Sequence, residues 1–358
     1  MGNKYIKTVA GGENTSPAGT EALLLDDGAA YKYSLLTTIR TFFKTTYDAL
    51  YMALVAPGTS GNVLTSNGSI WASAAPTAGD KYPMEARLTL ETDVAVSTTA
   101  QTAKTTLYLT KYKGDQIAVF SGTAWSNIAL GADISITLAL LTANLPYDVF
   151  VYSNAGTLTL ELTAWTNITT RATALTTQNG VYVKTGATTR RYVGTICITA
   201  TTGQCEDSES SRLVYNYYNQ VQRYFSAIDT TDNWNYTTAT WRAANNSTVL
   251  GVMRVGCVVG VAEQPIKICV YSFSFNTNAA GQHAGIGINA TDTNSAKVFG
   301  GLGLAGGYVM QNSQLMKQLA VGYNYIQRLE FSQAAGTTTW YGDQTGVIQT
   351  GMIADMSM

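Results

Sequence analysis

Three observations predict a mainly β fold for this chain of 358 residues. Short β-rich segments, several of which alternate apolar and polar residues, follow one another between Gly and Asn turns from residue 80 to about 205. A second series of strand-like segments begins at residue 229. Only two segments, 34–56 and 208–228, show the three- and four-residue spacing of an amphipathic helix. We therefore expect antiparallel β-domains joined by short helical necks.

Low charge is the main feature of the composition. Charged residues make up 13% of the chain, with a net charge of −1, a single His and 22 Tyr. A protein that binds many phosphates needs a Lys and Arg excess, so we expect no nucleic-acid partner. The most apolar stretch, 249–275, is interrupted by Arg254, Glu263 and Lys267. It lacks the run of about 18 apolar residues that a membrane span needs, so we expect no membrane insertion.

Residues 1–79 divide into three predicted modules. Residues 1–33 form an extended attachment arm, and residues 57–79 form a linker rich in turn residues. Between them, a helix is predicted over 34–56, ending at Pro57-Gly58. Its apolar stripe has no partner within its own segment, so it either associates with other copies of the chain or docks on a nearby domain. The stripe residues that would form a trimer seam are Leu35, Ile39, Phe42 and Leu50.

Residues 80–207 are predicted to form an antiparallel β-domain. Strand-like segments lie at 87–91, 106–110, 116–120, 157–162 and 180–184, separated by Gly and Asn turns. Segments this short and regularly spaced favour an antiparallel sheet over alternating strands and helices.

A helical neck is predicted over 208–228. Its apolar positions follow steps of 3, 4, 3 and 4, which is the spacing of a coiled-coil seam; they are Val214, Tyr217, Val221, Tyr224 and Ile228. Such a neck would hold neighbouring chains in register around a trimer axis. The alternative is a single helix packed on the β-domain.

Residues 229–358 are predicted to form a jelly-roll-like β-domain. Strands are expected at 249–261, 266–275, 284–290, 326–331 and 346–354. About 130 residues of antiparallel strands with glycine turns are typical of such a sandwich.

The sequence offers little catalytic chemistry. His283 is the one imidazole base, and no GxSxG motif surrounds a serine. Gly301, Gly303 and Gly306 match GxGxxG, but a dinucleotide site needs a βαβ unit around them. The four cysteines form no CxxC pair, so we expect buried thiols, with a Cys197–Cys205 bridge left open. We expect no enzyme, no cofactor and no metal site.

Two clusters mix aromatic rings with amide and hydroxyl groups, a combination that suits a binding surface. Their candidate receptor contacts are Trp234, Tyr236, Trp241, Trp340 and Tyr341. The alternative is that these rings pack in the core or between subunits.

Two segments resemble bacteriophage virion proteins. Within 57–71, the run Asn62-Val63-Leu64-Thr65-Ser66-Asn67-Gly68 followed by Trp71 is similar to a short element of tail-fibre proteins. Residues 147–224 resemble a segment of phage structural proteins, carried here by 147–150, 180–186, 190–195 and 215–219. The resemblance implies a modular, elongated, trimeric virion protein with an N-terminal arm on the particle and a distal β-head. It carries over no catalytic residue.

We therefore expect a homotrimeric phage fibre or spike, made in the host cytoplasm and located in the virion. Its N-terminal arm would bind other virion proteins, and its distal domain would bind a host-surface glycan or protein. One alternative is a head fibre or capsid decoration protein. Another is a polysaccharide-degrading tailspike, which would need a catalytic carboxylate such as Asp229 or Asp232 and a second one at a defined distance. The position on the virion and the receptor stay open.

Overall fold

The structure, a computed structural model, describes residues 82–300 and 305–358, together with four strands nearer the N-terminus. It divides into two units, Met1–Lys81 and Tyr82–Met358. In the first unit, β1 (Ala22–Asp26) pairs antiparallel with β2 (Tyr31–Leu35), and β3 (Val63–Ser66) pairs antiparallel with β4 (Trp71–Ala74).

These strands bear on two predicted modules. Leu35 ends strand β2, so the helix predicted to begin at residue 34 is wrong at its start: Tyr31–Leu35 pairs with Ala22–Asp26 instead. Ile39, Phe42 and Leu50, the rest of that stripe, lie outside the described residues. The predicted linker over 57–79 contains the hairpin β3–β4.

The second unit begins with fourteen closely spaced strands. In chain order they are β5 (Ala86–Thr89), β6 (Gln101–Lys104), β7 (Thr106–Lys111), β8 (Gln116–Phe120), β9 (Trp125–Ala129), β10 (Ile134–Thr137), β11 (Pro146–Asn154), β12 (Thr157–Ala164), β13 (Leu175–Gln178), β14 (Val181–Lys184), β15 (Ala187–Cys197), β16 (Cys205–Asp207), β17 (Ser211–Arg212) and β18 (Val214–Asn216). Strands β10-β7-β5 form one antiparallel sheet, and β12-β11-β15-β14-β13 form another, with β18 beside β15. The antiparallel arrangement predicted for this region is confirmed.

The remaining strands form two sheets, one of which also includes β6, β16 and β17. They are β19 (Gln222–Ile228), β20 (Asn233–Asn235), β21 (Arg242–Ala243), β22 (Arg254–Val259), β23 (Pro265–Asn276), β24 (Gln282–Ile288), β25 (Val298–Gly300), β26 (Gly307–Gln318), β27 (Gly322–Ser332), β28 (Thr338–Tyr341) and β29 (Gly351–Ser357), with a 3₁₀ turn at Ala244–Asn246. One sheet has the order β19-β29-β23-β26-β25, with β28 also on β23 and β20 on β28. The other has the order β21-β27-β22-β17-β16-β6, with β24 beside β27.

The two sheets face each other across a common core. Ile266, Ile268 and Val270 of β23 belong to the same buried cluster as Val255 of β22 and Ile286 of β24. That cluster continues into β5, β7 and β15. Pairing also crosses the predicted boundary between 80–207 and 229–358, because β6, β16 and β17 share a sheet with β22 and β27.

The helical neck predicted over 208–228 is wrong. This segment forms β17, β18 and β19, and β19 pairs with all seven residues of β29. Asn219, between β18 and β19, has a left-handed φ of 52°, which a helix interior does not tolerate. Within β19 the period is two: Arg223, Phe225 and Ala227 are buried.

The predicted seam residues of this segment therefore do not share one stripe. Val214 is buried in β18, and Tyr217 and Val221 are half-buried beside it. Tyr224 and Ile228 are exposed on β19. A backbone paired to a distant strand has no free N–H and C=O groups for a helix, so the local three- and four-residue spacing does not decide the structure.

Candidate functional site

The sheet β19-β29-β23-β26 has one buried side and one exposed side. In β23, the even-numbered residues from Ile266 to Asn276 are buried, whereas the odd-numbered ones are half-buried or exposed. Strands β19, β26 and β29 show the same alternation. We call the exposed side the outer sheet face; it comprises residues 222–228 (even), 265–275 (odd), 308–318 (even) and 351–357 (odd), with β25 and Tyr341 of β28 at its edges.

The outer sheet face carries large apolar side chains in contact with solvent. Met310 and Met316 of β26 are 73% and 61% exposed. Tyr224 of β19 and Ile353 of β29 are 66% and 55% exposed. Ile228, Tyr271, Tyr308 and Val298 are exposed on the same face or its edge. Single exposed apolar residues are common on soluble proteins, but a contiguous set marks a contact surface.

The strand register places Cys269 near the centre of this face. Cys269 lies directly opposite Ile353 on one neighbouring strand and Gln314 on the other. The same row continues to Ser226 and Val298 on the outer strands. Cys269 is half-buried.

Charge on the outer sheet face is limited to one pair among its described residues. Lys267 and Asp355 are register partners on adjacent strands, and Gln222 donates a hydrogen bond to Asp355. The face therefore carries one positive and one negative group side by side.

Aromatic rings cluster at one end of the face. Phe273 and Tyr308 stack with ring centroids 5.3 Å apart and planes inclined by 10°. Tyr341 lies 5.8 Å from Phe273, and Phe275 lies 5.2 Å from Tyr308. Partial burial and the contact with Tyr308 raise the pKa of Tyr341. Tyr341 is the predicted receptor contact that the structure places on this surface.

A polar sheet surface in the same unit provides a contrast. Glu161 of β12 binds Lys184 of β14 at 2.7 Å and Arg190 of β15 at 3.0 Å. Burial opposes ionisation of Glu161, but its hydrogen bonds to both cations lower its pKa. Paired charges of this kind are typical of a sheet surface in contact with solvent, whereas the outer sheet face has only Lys267 and Asp355 among its described residues.

The other predicted receptor contacts mostly pack inside the protein. Trp340 is fully buried and donates a hydrogen bond to Ser332 Oγ at 3.1 Å. Tyr236 is buried and donates to the Thr240 carbonyl at 2.8 Å. Trp241, half-buried, packs against Phe331 with centroids 5.4 Å apart. These three residues pack inside the protein, which was the alternative to receptor contact in the sequence analysis.

Trp234 joins a buried ionic cluster. Its Nε1 donates to Glu330 Oε2 at 2.7 Å, and Arg242 Nε donates to Oε1 at 2.7 Å. Burial raises the pKa of Glu330, while Arg242 and Trp234 oppose that rise. Arg328 is buried nearby, and desolvation lowers its pKa to about 10. Both carboxylate oxygens of Glu330 already accept hydrogen bonds, so this cluster stabilises the packing of the strands that carry it.

The carboxylates that a glycoside-cleaving site would use are also engaged. Asp229 is buried and accepts hydrogen bonds from the Thr231 backbone at 2.8 Å and the Asn245 side chain at 3.0 Å. Asp232 accepts from the Thr345 backbone at 2.7 Å. Both carboxylates hold loops in place.

His283 and the remaining cysteines occupy apolar surroundings. His283 is half-buried beside Phe331, its Nδ1 has no partner in the structure, and burial lowers its pKa. Cys197, Cys205 and Cys257 are buried free thiols with a pKa raised by burial. The Cys197–Cys205 bridge is not formed; Cys205 Sγ instead donates to the Cys197 carbonyl at 3.4 Å.

Two other sequence patterns, the GxGxxG match and the apolar stretch 249–275, can be compared with the described residues. Gly301 and Gly303 lie outside the described residues, and the element after Gly306 is strand β26, whereas a dinucleotide fingerprint requires a helix. Among the described residues, no helix has the length and hydropathy needed to cross a membrane.

Sequence reasoning missed most of the outer sheet face. A usable signal was present in β23, where Ile266, Ile268 and Val270 alternate with Cys269, Tyr271 and Phe273. A strand that is apolar on both sides needs a covering layer on each.

Comparison with known proteins assigns no family. No protein-family model matches the chain, and a comparison with curated proteins finds no match. A crystal structure of BuGH86 in complex with neoagarooctaose aligns with a TM-score of 0.21 and 9% identity, covering 72% of this chain and 34% of that one. The insecticidal delta-endotoxin Cry8Ea1 from Bacillus thuringiensis aligns with a TM-score of 0.20 and 6% identity, covering 95% and 60%. The chain thus spans about a third of the first structure's length, and similarity this low identifies neither a shared fold nor a shared activity.

Proposed function

We propose that this chain is a structural protein of a bacteriophage virion. In this proposal it is a homotrimeric fibre or spike, attached by its N-terminal part, whose distal β-domain binds the host surface. The observation that carries the proposal is the strand order of residues 222–358.

Eight of the eleven strands described in this region follow a recognisable order; β20, β21 and β28 are additional to it. Numbered along the chain from one to eight, they are β19, β22, β23, β24, β25, β26, β27 and β29. One sheet has the order one-eight-three-six and the facing sheet has the order two-seven-four. This order supports the proposal of a jelly roll, a fold used by viral capsid and lectin domains. One departure is that β25 pairs with β26, whereas the fifth strand of a jelly roll pairs with the fourth.

The surface chemistry gives further support. A fibre or spike subunit needs an apolar surface that other copies can cover, because one chain cannot bury it alone. The outer sheet face has that character, with Met310 and Met316 exposed on one side of β23 and Ile353 exposed on the other.

The first test is the solution molar mass of the purified full chain, measured by light scattering. A homotrimer has three times the mass of the 38.3 kDa chain. A mass equal to one chain over the micromolar range would overturn the homotrimer.

The virion assignment has its own test. Mass spectrometry of purified phage particles and antibody labelling under the electron microscope should find the protein at the tip of a fibre or spike. Deletion of the gene should lower adsorption to host cells. A protein located on the capsid, with adsorption unchanged after deletion, would contradict the host-binding role and favour capsid decoration.

A further inference from the structure

We propose that the outer sheet face is the surface through which copies of this chain contact one another, with Cys269 near the centre of the contact. This inference rests on the proposed homotrimer and adds the residues that form it. The predicted helical seam over 208–228 has no part in it, apart from Tyr224 and Ile228, which the β-structure places on this face.

The size of the face suits a stable contact. Strands β19 and β29 each have seven residues, and β23 and β26 each have twelve. With strands about 4.8 Å apart and about 3.4 Å per residue, their outer side covers roughly 600 Å² in projection. Protruding side chains add accessible area to this projection. A typical stable interface buries about 800 Å² on each partner, so the face is of the required order.

The charge pattern favours a second copy as the occupant. Lys267 and Asp355 are adjacent on the face, which is therefore neutral and carries both signs. Two or three copies can bring this surface together without meeting a uniform field of like charge. The outer sheet face has no excess of either charge that would attract a strongly charged partner.

The side chains also suit contact between proteins. Met310, Met316 and Ile353 present flexible or branched apolar groups, and Tyr224 and Tyr271 present rings with a polar end. Aromatic residues and Met are enriched in the cores of protein interfaces. The facing sheet has no comparable surface on β22, where the residues from Val255 to Val259 are buried.

The reactivity of the Cys269 thiol reports whether the face is covered, so no probe has to be introduced. The other three cysteines are buried inside the protomer, so alkylation of the native protein reports mainly on Cys269. If the face is covered, Cys269 should react at least about tenfold more slowly than in dissociated copies, because only the open fraction exposes the thiol.

The test compares the wild-type full chain with Met310→Asp and Leu140→Asp. Met310 is on the face, whereas Leu140, 93% exposed, lies between β10 and β11 and serves as the matched control. Because both side chains are exposed in the protomer, neither change disturbs the core, and circular dichroism verifies the β-fold. Met316→Asp is the second variant if Met310→Asp does not fold. Light scattering gives the molar mass, and peptide mapping after alkylation gives the rate at Cys269.

We expect the wild type and Leu140→Asp to be trimeric with a protected Cys269. Met310→Asp should have the mass of one chain and a reactive Cys269. A wild-type trimer with a reactive Cys269, or a Met310→Asp protein that stays trimeric, would overturn the proposed face and leave the homotrimer standing. A monomeric wild type would overturn both. Another stoichiometry with a protected Cys269 would support the face and overturn the trimer.

Discussion

At the scale of single residues, Trp340 tests whether a predicted receptor contact instead packs inside the protein. Its ring is fully buried and its Nε1 donates to Ser332, although the sequence made it a candidate receptor contact. We expect Trp340→Ala to lower the free energy of unfolding by about 3–5 kcal/mol through loss of buried area and creation of a cavity. Denaturant unfolding at a fixed protein concentration measures this.

The matched control for Trp340 is its neighbour. Tyr341→Ala should cost less, because that ring is only partly buried on the outer sheet face. If Trp340→Ala kept wild-type stability while host binding disappeared, the packing role would be wrong.

His283 gives the chain a pH-dependent contribution to stability. Because burial lowers its pKa in the folded state, the unfolded chain binds the proton more tightly. The contribution of His283 to stability is therefore fully present above the pKa of the unfolded state, about 6.5. It is lost as the pH falls through the lower pKa of the folded state. We expect the free energy of unfolding of the wild type to fall over this window relative to His283→Gln.

The measurement for His283 is unambiguous because the chain has one histidine. An NMR titration of its ring should give a midpoint below 6.5. A wild-type-minus-variant stability difference that does not change with pH would show that the two states bind the proton equally.

At the scale of elements, Gly194 marks a close approach of three strands. It lies in β15, and a Cβ there would overlap the Tyr215 carbonyl oxygen of β18 and lie 2.8 Å from Leu88 Cδ1 of β5. We expect Gly194→Ala to lower the free energy of unfolding by about 1–3 kcal/mol, because the strands must separate to admit the methyl group.

The control for Gly194 is Gly131→Ala. A Cβ at residue 131 meets no atom within 4 Å, so this change should be close to neutral. Thermal unfolding of both variants beside the wild type tests the difference. Equal losses of stability in Gly194→Ala and Gly131→Ala would mean that the close approach of β15 and β18 does not exclude a methyl group at residue 194.

The elements that could be predicted from the sequence are those whose pattern is local. Alternation or β-rich composition predicted β7, β8, β12 and β14, and an apolar run predicted β23. Segment 208–228 failed because its spacing is compatible with a helix, whereas its pairing with Gly351–Ser357 is about 130 residues away in the chain. Its Tyr, Val and Phe residues have β-propensity and were the available contrary signal.

The candidate surface was harder to predict for the same reason. Met310 and Ile353 are adjacent to β23 only through long-range register. No pattern within their own segments shows which side of each strand the core covers. The buried ionic cluster of Glu330, Arg242 and Trp234 likewise joins distant residues. The secondary-structure propensity of a segment does not depend on contacts between residues that are far apart in the chain.

At the scale of the whole molecule, one core spans the second unit. Buried residues from Met84 to Met358 form a single hydrophobic cluster. Strand β17 pairs with β22, and β16 pairs with β6, so the regions predicted as separate β-domains share a sheet. We therefore expect residues 82–358 to unfold in one cooperative transition, which calorimetry measures. Two resolved transitions would contradict this.

The same unit contains the entire outer sheet face. A fragment of residues 82–358 should therefore fold with the β circular dichroism of the full chain and assemble with the same number of copies. If the stripe predicted over 34–56 drove association, through Ile39, Phe42 and Leu50, this fragment would be monomeric at concentrations where the full chain is trimeric. Light scattering of the fragment, the full chain and the fragment with Met310→Asp separates the two sources of assembly. A monomeric but folded fragment would place the trimer contact in residues 1–81, because removing that segment leaves the outer sheet face intact.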